Sequence, residues 1–327
     1  MVKPWFRLIC KREQLQLLGT LNGGQSFRWK FIDLEGDKKW IGVFEKHVWI
    51  LKQNDEEISY QVYGSDNDEK FYNNMLANYF QLNLDLKQHF AEWSSKDPIF
   101  KKAANQFYGI RILNQDLVEN IFSFICSSNN NISRITSMVE KLALLFGEKI
   151  CDIDGQVYFS FPPVEALAQD DVESVLKKEG FGYRAKYISE SAKLITKEGV
   201  DRWLEELKTL PYEESRTKLM TLTGIGPKVS DCICLMSLRH LQSIPVDTHV
   251  YQIARKFYMH SLPKRKTVTT KIYKDIGDHF RELYGPLAGW AHTVSYNTFI
   301  TIFKHTINYL SQVLFCADLK KFQNDEN

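Results

Sequence analysis

Hydrophobic and polar positions alternate early in the chain in a way that predicts β-structure. Polar and aromatic residues alternate over Ser26–Phe31, Gly36-Asp37 is typical of a turn, and Trp40–Leu51 is rich in β-branched and aromatic side chains. We therefore expect mainly strands and turns over Gly24–Tyr63.

Helical spacing of apolar residues replaces this alternation after the acidic stretch Asp66–Glu69. The first apolar face comprises Phe71, Met75, Leu76, Tyr79 and Phe80. Short turns with Gly or Pro separate the later segments. The pattern predicts further helices over Leu117–Phe124, Ile132–Leu145, Val164–Ala168, Val172–Lys178, Ala185–Thr196, Asp201–Leu207, Tyr212–Leu222, Val229–Leu238, Val246–Tyr258 and Lys271–Tyr284. The fold class is therefore α+β, with a β-rich N-terminal region before a mostly helical body. Trp5, Trp40 and Trp93 are expected in the core.

The composition is that of an ordinary globular protein, with 327 residues, 44% hydrophobic and 25% charged. It excludes a disordered tail, a collagen-like repeat and a charged coiled coil. The weakly charged stretch Thr293–Phe303 is too short and too polar to span a bilayer. Charged residues follow the start too soon for a secretory signal, so we expect an intracellular protein with no membrane partner.

Positive charge is concentrated in one part of the chain, although the formal net charge is only +2. Between Arg216 and Lys274 the only acids are Asp231 and Asp247. Such an excess is typical of a phosphate-binding face, and the alternative is a solvated surface without a partner. The basic residues are Arg216, Lys218, Lys228, Arg239, Arg255, Lys256, Lys264, Arg265, Lys266, Lys271 and Lys274.

The cysteines show no metal-binding spacing. No C-x-x-C occurs, and no group is tight enough for zinc or an iron–sulfur cluster. We expect reduced thiols, no structural metal and no cofactor. The six positions are Cys10, Cys126, Cys151, Cys232, Cys234 and Cys316.

A glycine-rich turn between two predicted helices is the first candidate site. Gly224 and Gly226 allow a sharp turn and close approach to a ligand, and Pro227 suits the first turn of a helix. Free N–H groups at a helix N-terminus bind phosphate, so the turn is a candidate phosphate clamp. Lys228 then stands in that first turn, where the positive helix end disfavours the ammonium form and favours a nucleophilic amine.

A carboxylate follows 19 residues later, in the segment Ile244–His249. Asp247 has two interpretations that do not exclude each other. It is the N-cap of the helix that starts near Thr248, or it orients a nucleophilic Lys228 and stabilises developing positive charge. The combination G-x-G-x-Lys with a downstream V-D-x-H is more specific than either part alone.

The string LTGIGPKVSDC…VDTH resembles the helix–hairpin–helix DNA glycosylase superfamily, and within it the eukaryotic 8-oxoguanine DNA glycosylases. Further motifs similar to that family occur in the family's order and cover nearly the whole chain. They are Gly23–Trp29 (GGQSFRW), Phe122–Ile135 (FSFICSSNNNISRI), Gly180–Tyr187 (GFGYRAKY), Lys228–Leu238 (KVSDCICLMSL), Gly285–Ala291 (GPLAGWA) and Val313–Leu319 (VLFCADL).

The resemblance implies an architecture and an activity. The architecture is an antiparallel, TBP-like β-rich domain over residues 1–107, followed by a helix–hairpin–helix glycosylase domain over residues 108–327. The implied activity is removal of 8-oxoguanine opposite cytosine from double-stranded DNA through a lysine Schiff base, with an associated β-elimination lyase activity. We expect a monomer in the nucleus, and also in the mitochondrion.

The resemblance also assigns roles to individual residues. Lys228 is the implied nucleophile at the sugar C1′, and Asp247 positions it and supports the oxocarbenium-like sugar. The damaged base must leave the helix to be reached. Its implied pocket comprises Gly24, whose carbonyl accepts the N–H that distinguishes 8-oxoguanine from guanine, with Phe124, Cys232, Pro245, Asp247, His292 and Phe315. The implied DNA contacts are Asn129, Arg134, Tyr183, Arg184, Gly224, Gly226 and His249.

Several of these residues have ordinary alternatives. Gly24 is a turn glycine in the simpler interpretation, and Asn129 belongs to a polar loop. Arg134 and Arg184 are surface arginines, and His249 is a capping histidine. The resemblance assigns Asn129, Arg134 and Arg184 to the estranged cytosine, Tyr183 to a wedge, and His249 to a phosphate.

Two positions depart from the family pattern. His292 stands where the family has a glutamine, and an imidazole cannot present the paired donor and acceptor of an amide. In addition, residues 294–312 separate Thr293 from Val313, and their removal restores the family register. We interpret them as a retained in-frame intron, and the alternative is a genuine insertion in a surface segment.

Two other functions remain open at this point. One is another glycosylase of the same superfamily, although the absent cysteine cluster and the GGQSFRW segment argue against it. The other is a non-catalytic binder of damaged DNA, if the insert disables the site. Lys228 and Asp247 argue against a pure binder, because binding alone would need neither.

Overall fold

An antiparallel five-stranded sheet forms the N-terminal part of the computed structural model, which describes residues 3–34, 36–106, 108–264 and 267–294. The strand order is β1-β5-β4-β3-β2. β3 and β4 meet at a tight turn where Glu45 and Lys46 both have positive φ, so the predicted β-rich stretch from Trp40 is a hairpin of two strands. The strands are β1 Phe6–Ile9, β2 Trp29–Leu34, β3 Asp37–Phe44, β4 His47–Gln53 and β5 Glu57–Tyr63.

Both faces of the sheet are covered. Trp49 and Tyr60 on one face pack with Leu76 of the helix Glu69–Tyr79 (α2) in a buried aromatic cluster. On the other face, Ile41 and Ile50 pack against a second hairpin, which sequence periodicity did not indicate. That hairpin comprises β6 Lys149–Ile153 and β7 Gln156–Phe159, and the helices up to it are α1 Leu17–Leu21, α2 Glu69–Tyr79, α3 Leu86–Lys96, α4 Pro98–Gln106, α5 Leu117–Ser127 and α6 Ile132–Phe146.

The remaining helices share one large apolar core with α5 and α6. Trp93 of α3 and Phe100 of α4 are buried in this core as well, and the division at residue 107 stays a prediction. The later helices are α7 Val164–Leu167, α8 Val172–Lys178, α9 Arg184–Glu198, α10 Val200–Thr209, α11 Tyr212–Leu219, α12 Pro227–Ser237, α13 Thr248–Ile253 and α14 Thr270–Tyr284. A π-helical segment, Ala254–Tyr258, continues α13, and residues 288–294 are helical.

The α+β class, with an antiparallel sheet before a helical body, is confirmed. Two local expectations are wrong. Phe71 lies outside the buried face of α2. Trp5 is 44% exposed, and the Lys52 ammonium group lies over the Trp5 ring, 5.0 Å from the ring centroid. Within the described residues, no helix is long and apolar enough to cross a membrane.

Candidate active site

The glycine-rich turn joins α11 to α12 as the sequence predicts. Gly224 has a φ of +88°, and a Cβ there would lie 2.5 Å from a ring carbon of Tyr187, so no larger residue fits. Gly226 is the N-cap of α12 in an extended conformation, and among the described residues no atom beyond its chain neighbours lies within 4 Å of the position its Cβ would take. Pro227 is the first helical residue, so Lys228 does lie in the first turn, beside the positive end of the helix.

Lys228 lies against an aromatic pair that joins the two parts of the protein. Its Nζ is 5.7 Å from the ring centroid of Phe124 on α5. Phe124 is fully buried and meets Phe27 edge-on at 5.9 Å. Phe27 belongs to the GGQSFRW segment, so the structure brings that segment to the hairpin helix.

Gly24, three residues before Phe27, is buried and has a φ of +69°, a conformation that favours glycine. The neighbouring Gln25 fixes this segment to residues 111–115 of the helical body. Its side-chain amide donates to the Arg111 carbonyl at 2.8 Å and accepts from the Leu113 N–H at 3.0 Å, and its backbone carbonyl accepts from the Gln115 side chain at 2.8 Å. These three hydrogen bonds fix the position of the residue that directly follows Gly24.

Asp247 is the N-cap of α13, as one of its two interpretations predicts. Oδ1 accepts from the N–H groups of His249 at 2.9 Å and Val250 at 2.8 Å. Oδ2 makes no hydrogen bond to any residue that the structure describes, so capping leaves one carboxylate oxygen for another task. His249 follows on the same helix, and its Nε2 is buried with no protein partner in the described part of the chain.

One hydroxyl group links the segments that carry Lys228 and Asp247. The Tyr273 oxygen on α14 lies 3.2 Å from the carbonyl oxygen of Pro227 and accepts from the Val246 N–H at 3.3 Å. It also donates to the fully buried Asp231 of α12. Sequence reasoning assigned no role to Tyr273 or Asp231, although an aspartate inside the apolar run KVSDCICLMSL is a signal of a buried polar contact.

The other predicted pocket residues lie on the elements around α12. Cys232 on α12 and Pro245 before α13 are buried. Phe315 lies outside the described residues. His292 is buried in the helical stretch 288–294, with its ring 5.1 Å from that of Phe280. Burial lowers the pKa of His292 to about 4, so its imidazole is neutral at pH 7.

Close packing holds the His292 helix against the chain between α12 and α13. The Gly289 N–H donates to the Leu241 carbonyl at 2.8 Å, and a Cβ on Gly289 would lie 2.3 Å from the Ser243 carbonyl oxygen. Trp290 donates to the Ile110 carbonyl at 3.0 Å. The GPLAGWA motif therefore packs against the chain that follows α12 and against the segment that precedes α5. Val294 is buried, and residues 295–312 of the predicted insert lie outside the described residues.

The four predicted opposite-strand residues come together at two loops, residues 128–131 and 180–184, which we call the paired loops. Arg134 lies beside them in the first turn of α6. Asn129 is exposed, with a φ of +48°. The Arg184 guanidinium donates to the carbonyls of Ser128 and Asn129, the latter at 3.0 Å, and the Tyr183 hydroxyl donates to Ser128 at 2.9 Å. Across the pair, Arg134 donates to the Gly180 carbonyl at 3.2 Å.

The two arginines of the paired loops differ in environment. Arg134 is exposed, as its simpler interpretation predicts. Arg184 is 3% exposed, with its guanidinium 4.6 Å from the Tyr183 ring centroid, so it is not an ordinary surface arginine. Its contacts show that it holds the Asn129 loop in shape.

Ion pairs reduce the positive charge that the sequence window suggests. Arg216 pairs with Asp231, Lys218 with Glu206, and Lys274 with Asp278. Two of these acidic partners, Glu206 and Asp278, lie outside the basic window Arg216–Lys274. The other basic residues of the window remain candidates for phosphate contact, apart from Arg265 and Lys266, which lie outside the described residues.

Family models match most of the chain in two consecutive parts. Residues 7–121 match the N-terminal domain of 8-oxoguanine DNA glycosylase. Residues 122–276 match the HhH-GPD superfamily of base excision DNA repair proteins. This matched range includes the glycine-rich turn, Lys228 and Asp247.

Individual relatives match over nearly their whole length. The chain is 36% identical to N-glycosylase/DNA lyase OGG1 of Arabidopsis thaliana, over 94% of this chain and 86% of the relative. It is 37% identical to N-glycosylase/DNA lyase of Saccharomyces cerevisiae, over 89% and 85%. A crystal structure of the Clostridium acetobutylicum 8-oxoguanine glycosylase/lyase with dsDNA containing cytosine opposite to 8-oxoG superposes with a TM-score of 0.76 and 30% identity, covering 90% of this chain and 93% of that one.

Proposed function

This chain belongs to the 8-oxoguanine DNA glycosylase family of bifunctional N-glycosylase/DNA lyases in base excision repair, and we propose that it removes 8-oxoguanine opposite cytosine through a Schiff base on Lys228. The observation that carries the proposal is the position of Lys228 in the first turn of α12, close to the segment that carries Asp247. The Tyr273 hydroxyl contacts both Pro227, which precedes Lys228, and Val246, which precedes Asp247. A nucleophile and a carboxylate are thereby held on adjoining backbone segments. The Clostridium protein, whose structure contains cytosine opposite 8-oxoG, supports this choice of substrate.

The chemistry follows from the amine and the carboxylate. The lone pair of the neutral Lys228 amine forms a bond to C1′, while the electron pair of the glycosidic bond leaves with the base. The nitrogen then loses two protons, one to the departing base and one to O4′ as the C1′–O4′ bond breaks, which gives the Schiff base. β-Elimination from this imine removes a proton from C2′ and breaks the C3′–O bond, so that the 3′ phosphate leaves; this is the lyase step.

Asp247 is the electrostatic partner in this mechanism. A carboxylate stabilises the positive charge that develops on the sugar as the base departs, and fixed charges in a site that excludes water are the most effective ones. Oδ1 is committed to the two N–H groups of α13, which fixes the orientation of the whole carboxylate. Oδ2 is the oxygen we assign to the sugar and to Lys228.

The damaged base would lie between the GGQSFRW segment and α12. We assign the discriminating acceptor to the Gly24 carbonyl, because Gln25 holds that backbone in place and glycine leaves room beside it. Cys232 and Phe315 would flank the base, with Phe124, Pro245 and His292 completing the pocket. His292 remains neutral there, and either ring nitrogen can donate or accept.

DNA contacts complete the proposal. The N–H groups at the start of α12, after Gly224 and Gly226, would bind one phosphate, and the buried Nε2 of His249 a second. Asn129, Arg134, Tyr183 and Arg184 would occupy the opposite strand at the cytosine. We further propose that the protein acts as a monomer in the nucleus and in the mitochondrion.

Borohydride trapping on an 8-oxoguanine·cytosine duplex tests the central step. We expect a covalent protein–DNA adduct with the full chain and none with Lys228→Gln, because an amide cannot form the imine that borohydride reduces. Lys87→Gln is the matched control, because the exposed Lys87 is also the second residue of a helix, in α3. That control should form as much adduct as the wild type.

A second chain lacking residues 294–312 separates the remaining alternatives. An adduct with the shorter chain alone would support the interpretation as a retained intron. An adduct only with alkylated or mismatched duplexes would indicate another glycosylase of the superfamily. The absence of an adduct with either chain on any damaged duplex would favour a non-catalytic binder and contradict the proposal.

A further inference from the structure

We propose that Tyr273, oriented by the buried Asp231, is a positioning residue that sets the spacing between Lys228 and Asp247. The inference rests on the proposed function and assigns a role to two residues outside the glycine-rich turn and the V-D-x-H segment. Neither side chain needs to touch the substrate. Their effect is on the backbone that carries the two reacting groups.

The Tyr273 hydroxyl lies among backbone groups of both segments. Its oxygen is 3.2 Å from the Pro227 carbonyl oxygen, 3.4 Å from the Ile244 carbonyl oxygen and 3.3 Å from the Val246 nitrogen. Pro227 immediately precedes Lys228, and Val246 immediately precedes Asp247. The Tyr273 oxygen therefore fixes the distance between the two chain segments next to Lys228 and Asp247.

Asp231 decides how that hydroxyl is oriented. A phenol has one proton to donate, and the carboxylate Oδ2 receives it, because a charged acceptor makes the stronger hydrogen bond. The phenol lone pairs then face the Val246 N–H, which donates to them. The orientation is thus the one that joins α12 to the Asp247 segment.

The Asp231 carboxylate is itself held on its other oxygen. Oδ1 accepts from the Tyr212 hydroxyl at 2.7 Å and lies 3.2 Å from Nε of Arg216 and 3.1 Å from the Ser243 hydroxyl. Arg216 also lies over the Tyr273 ring, 5.3 Å from its centroid. A buried carboxylate needs such partners, and removing one partner leaves the others to hold it.

This arrangement matters because a reaction between positioned groups is sensitive to their separation. A displacement of about 1 Å costs up to roughly a hundredfold in rate. Asp231 is three residues after Lys228 on α12, so the same helix turn carries the nucleophile and the anchor of the hydroxyl. Loss of the hydroxyl would free the Val246 end of the Asp247 segment from that turn.

A pair of tyrosine variants tests the proposal. Tyr273→Phe and Tyr212→Phe each remove one hydroxyl that donates to Asp231, and each retains its ring. Only Tyr273 also contacts Pro227 and Val246. We expect both variants of the full chain to lose similar thermal stability, and Tyr273→Phe alone to excise the base about tenfold or more slowly in single turnover.

The split between rate and binding distinguishes positioning from folding. For Tyr273→Phe, the dissociation constant of the lesion duplex should be unchanged, while the rates of base excision and of borohydride trapping fall by the same factor. Equal excision rates in the two folded variants would overturn the proposal. So would a defect in Tyr273→Phe that weaker duplex binding accounts for entirely.

The wild-type trapping result keeps this inference separate from the proposed function. If neither the wild type nor the chain lacking residues 294–312 forms an adduct, the lysine mechanism fails, and with it the role assigned to Tyr273. If the wild type forms the adduct and the two tyrosine variants react alike, only the positioning role fails.

Discussion

Lys228 and Asp247 are attached to a buried polar network, whereas Asn129 and Arg134 lie exposed at the paired loops, which are joined through backbone carbonyls. At the first region, Asp231 is fully buried; its Oδ1 has hydroxyl and guanidinium partners, and its Oδ2 accepts from the Tyr273 hydroxyl. At the paired loops, the inter-loop bonds run from side chains to carbonyls, and only Arg184 is buried among the four predicted readers.

The difference matches the demands of the two proposed tasks. A bond-forming step requires groups fixed within fractions of an ångström, which buried charge-assisted hydrogen bonds provide. A reader of the opposite strand must instead present donors to solvent until DNA arrives. Asn129 is exposed in a left-handed conformation and Arg184 supports it from beneath, so the loop is shaped in advance while its tip stays accessible.

Replacing Asp247 by asparagine should give the largest effect among the variants that keep Lys228. Asparagine is as good an N-cap as aspartate, so α13 keeps its cap while the negative charge is lost. We expect the excision rate to fall by roughly a hundredfold or more, with little change in lesion binding. Single-turnover excision and duplex binding measured on the same preparation check this.

Asp68→Asn is the matched control for capping. Asp68 caps α2 by accepting from the Phe71 N–H at 2.7 Å, far along the chain from the proposed site. It should leave excision unchanged. If Asp247→Asn loses activity only in proportion to its binding, Asp247 is a structural cap, and the contrast between the two regions disappears.

The next effect concerns the choice of opposite base at the paired loops. Guanidinium groups only donate, which suits the acceptor edge of cytosine. Arg134→Ala should therefore reduce the discrimination between cytosine and adenine opposite the lesion by about 1–3 kcal/mol, without a change in Tm. Arg184→Ala should reduce discrimination and also lower Tm, because its buried guanidinium holds the carbonyls of Ser128 and Asn129.

Excision rates on the four opposite-base duplexes, with thermal melts of each variant, check this pair. An Arg134→Ala protein that slows equally on all four duplexes would show a positioning contact instead of a base reader. An Arg184→Ala protein with unchanged Tm would mean that its contacts to the loop contribute nothing to stability.

Local sequence predicts the elements better than their partners in space. The position of Lys228 follows from Gly226 and Pro227 alone, because cap and first-turn preferences act within a few residues. The β6–β7 hairpin was not predicted, since its short strands are largely half-buried and show little alternation. Its place on the sheet depends on Ile41 and Ile50, more than 90 residues earlier.

The candidate site shows the same limit. Motifs identify Lys228 and Asp247 because both belong to short, specific strings. Tyr273 belongs to no such string, and its contacts to Pro227 and Val246 span 46 and 27 residues. Asp231 was visible only as a charge inside an apolar helix, and its partners come from three other segments. Long-range polar contacts of this kind leave no periodic pattern in the sequence.

The smallest of the three expected effects is a loss of unfolding free energy in acid, which we attribute to His292. His292 packs against Phe280 of α14, and burial lowers the pKa of its imidazole to about 4, from an ordinary value of 6.5. A depressed pKa in the folded state means that the neutral ring contributes stability above pH 6.5, and this is lost as pH falls toward 4.

His292→Gln removes this dependence, so between pH 7 and pH 5 the wild type should lose on the order of 1 kcal/mol more unfolding free energy than the variant. Denaturant unfolding of both proteins at the two pH values measures the difference, and the carboxylates common to both cancel. Arg134→Ala is the control, with the pH dependence of the wild type. Parallel losses in wild type and His292→Gln would mean that the imidazole is protonated in the fold without penalty.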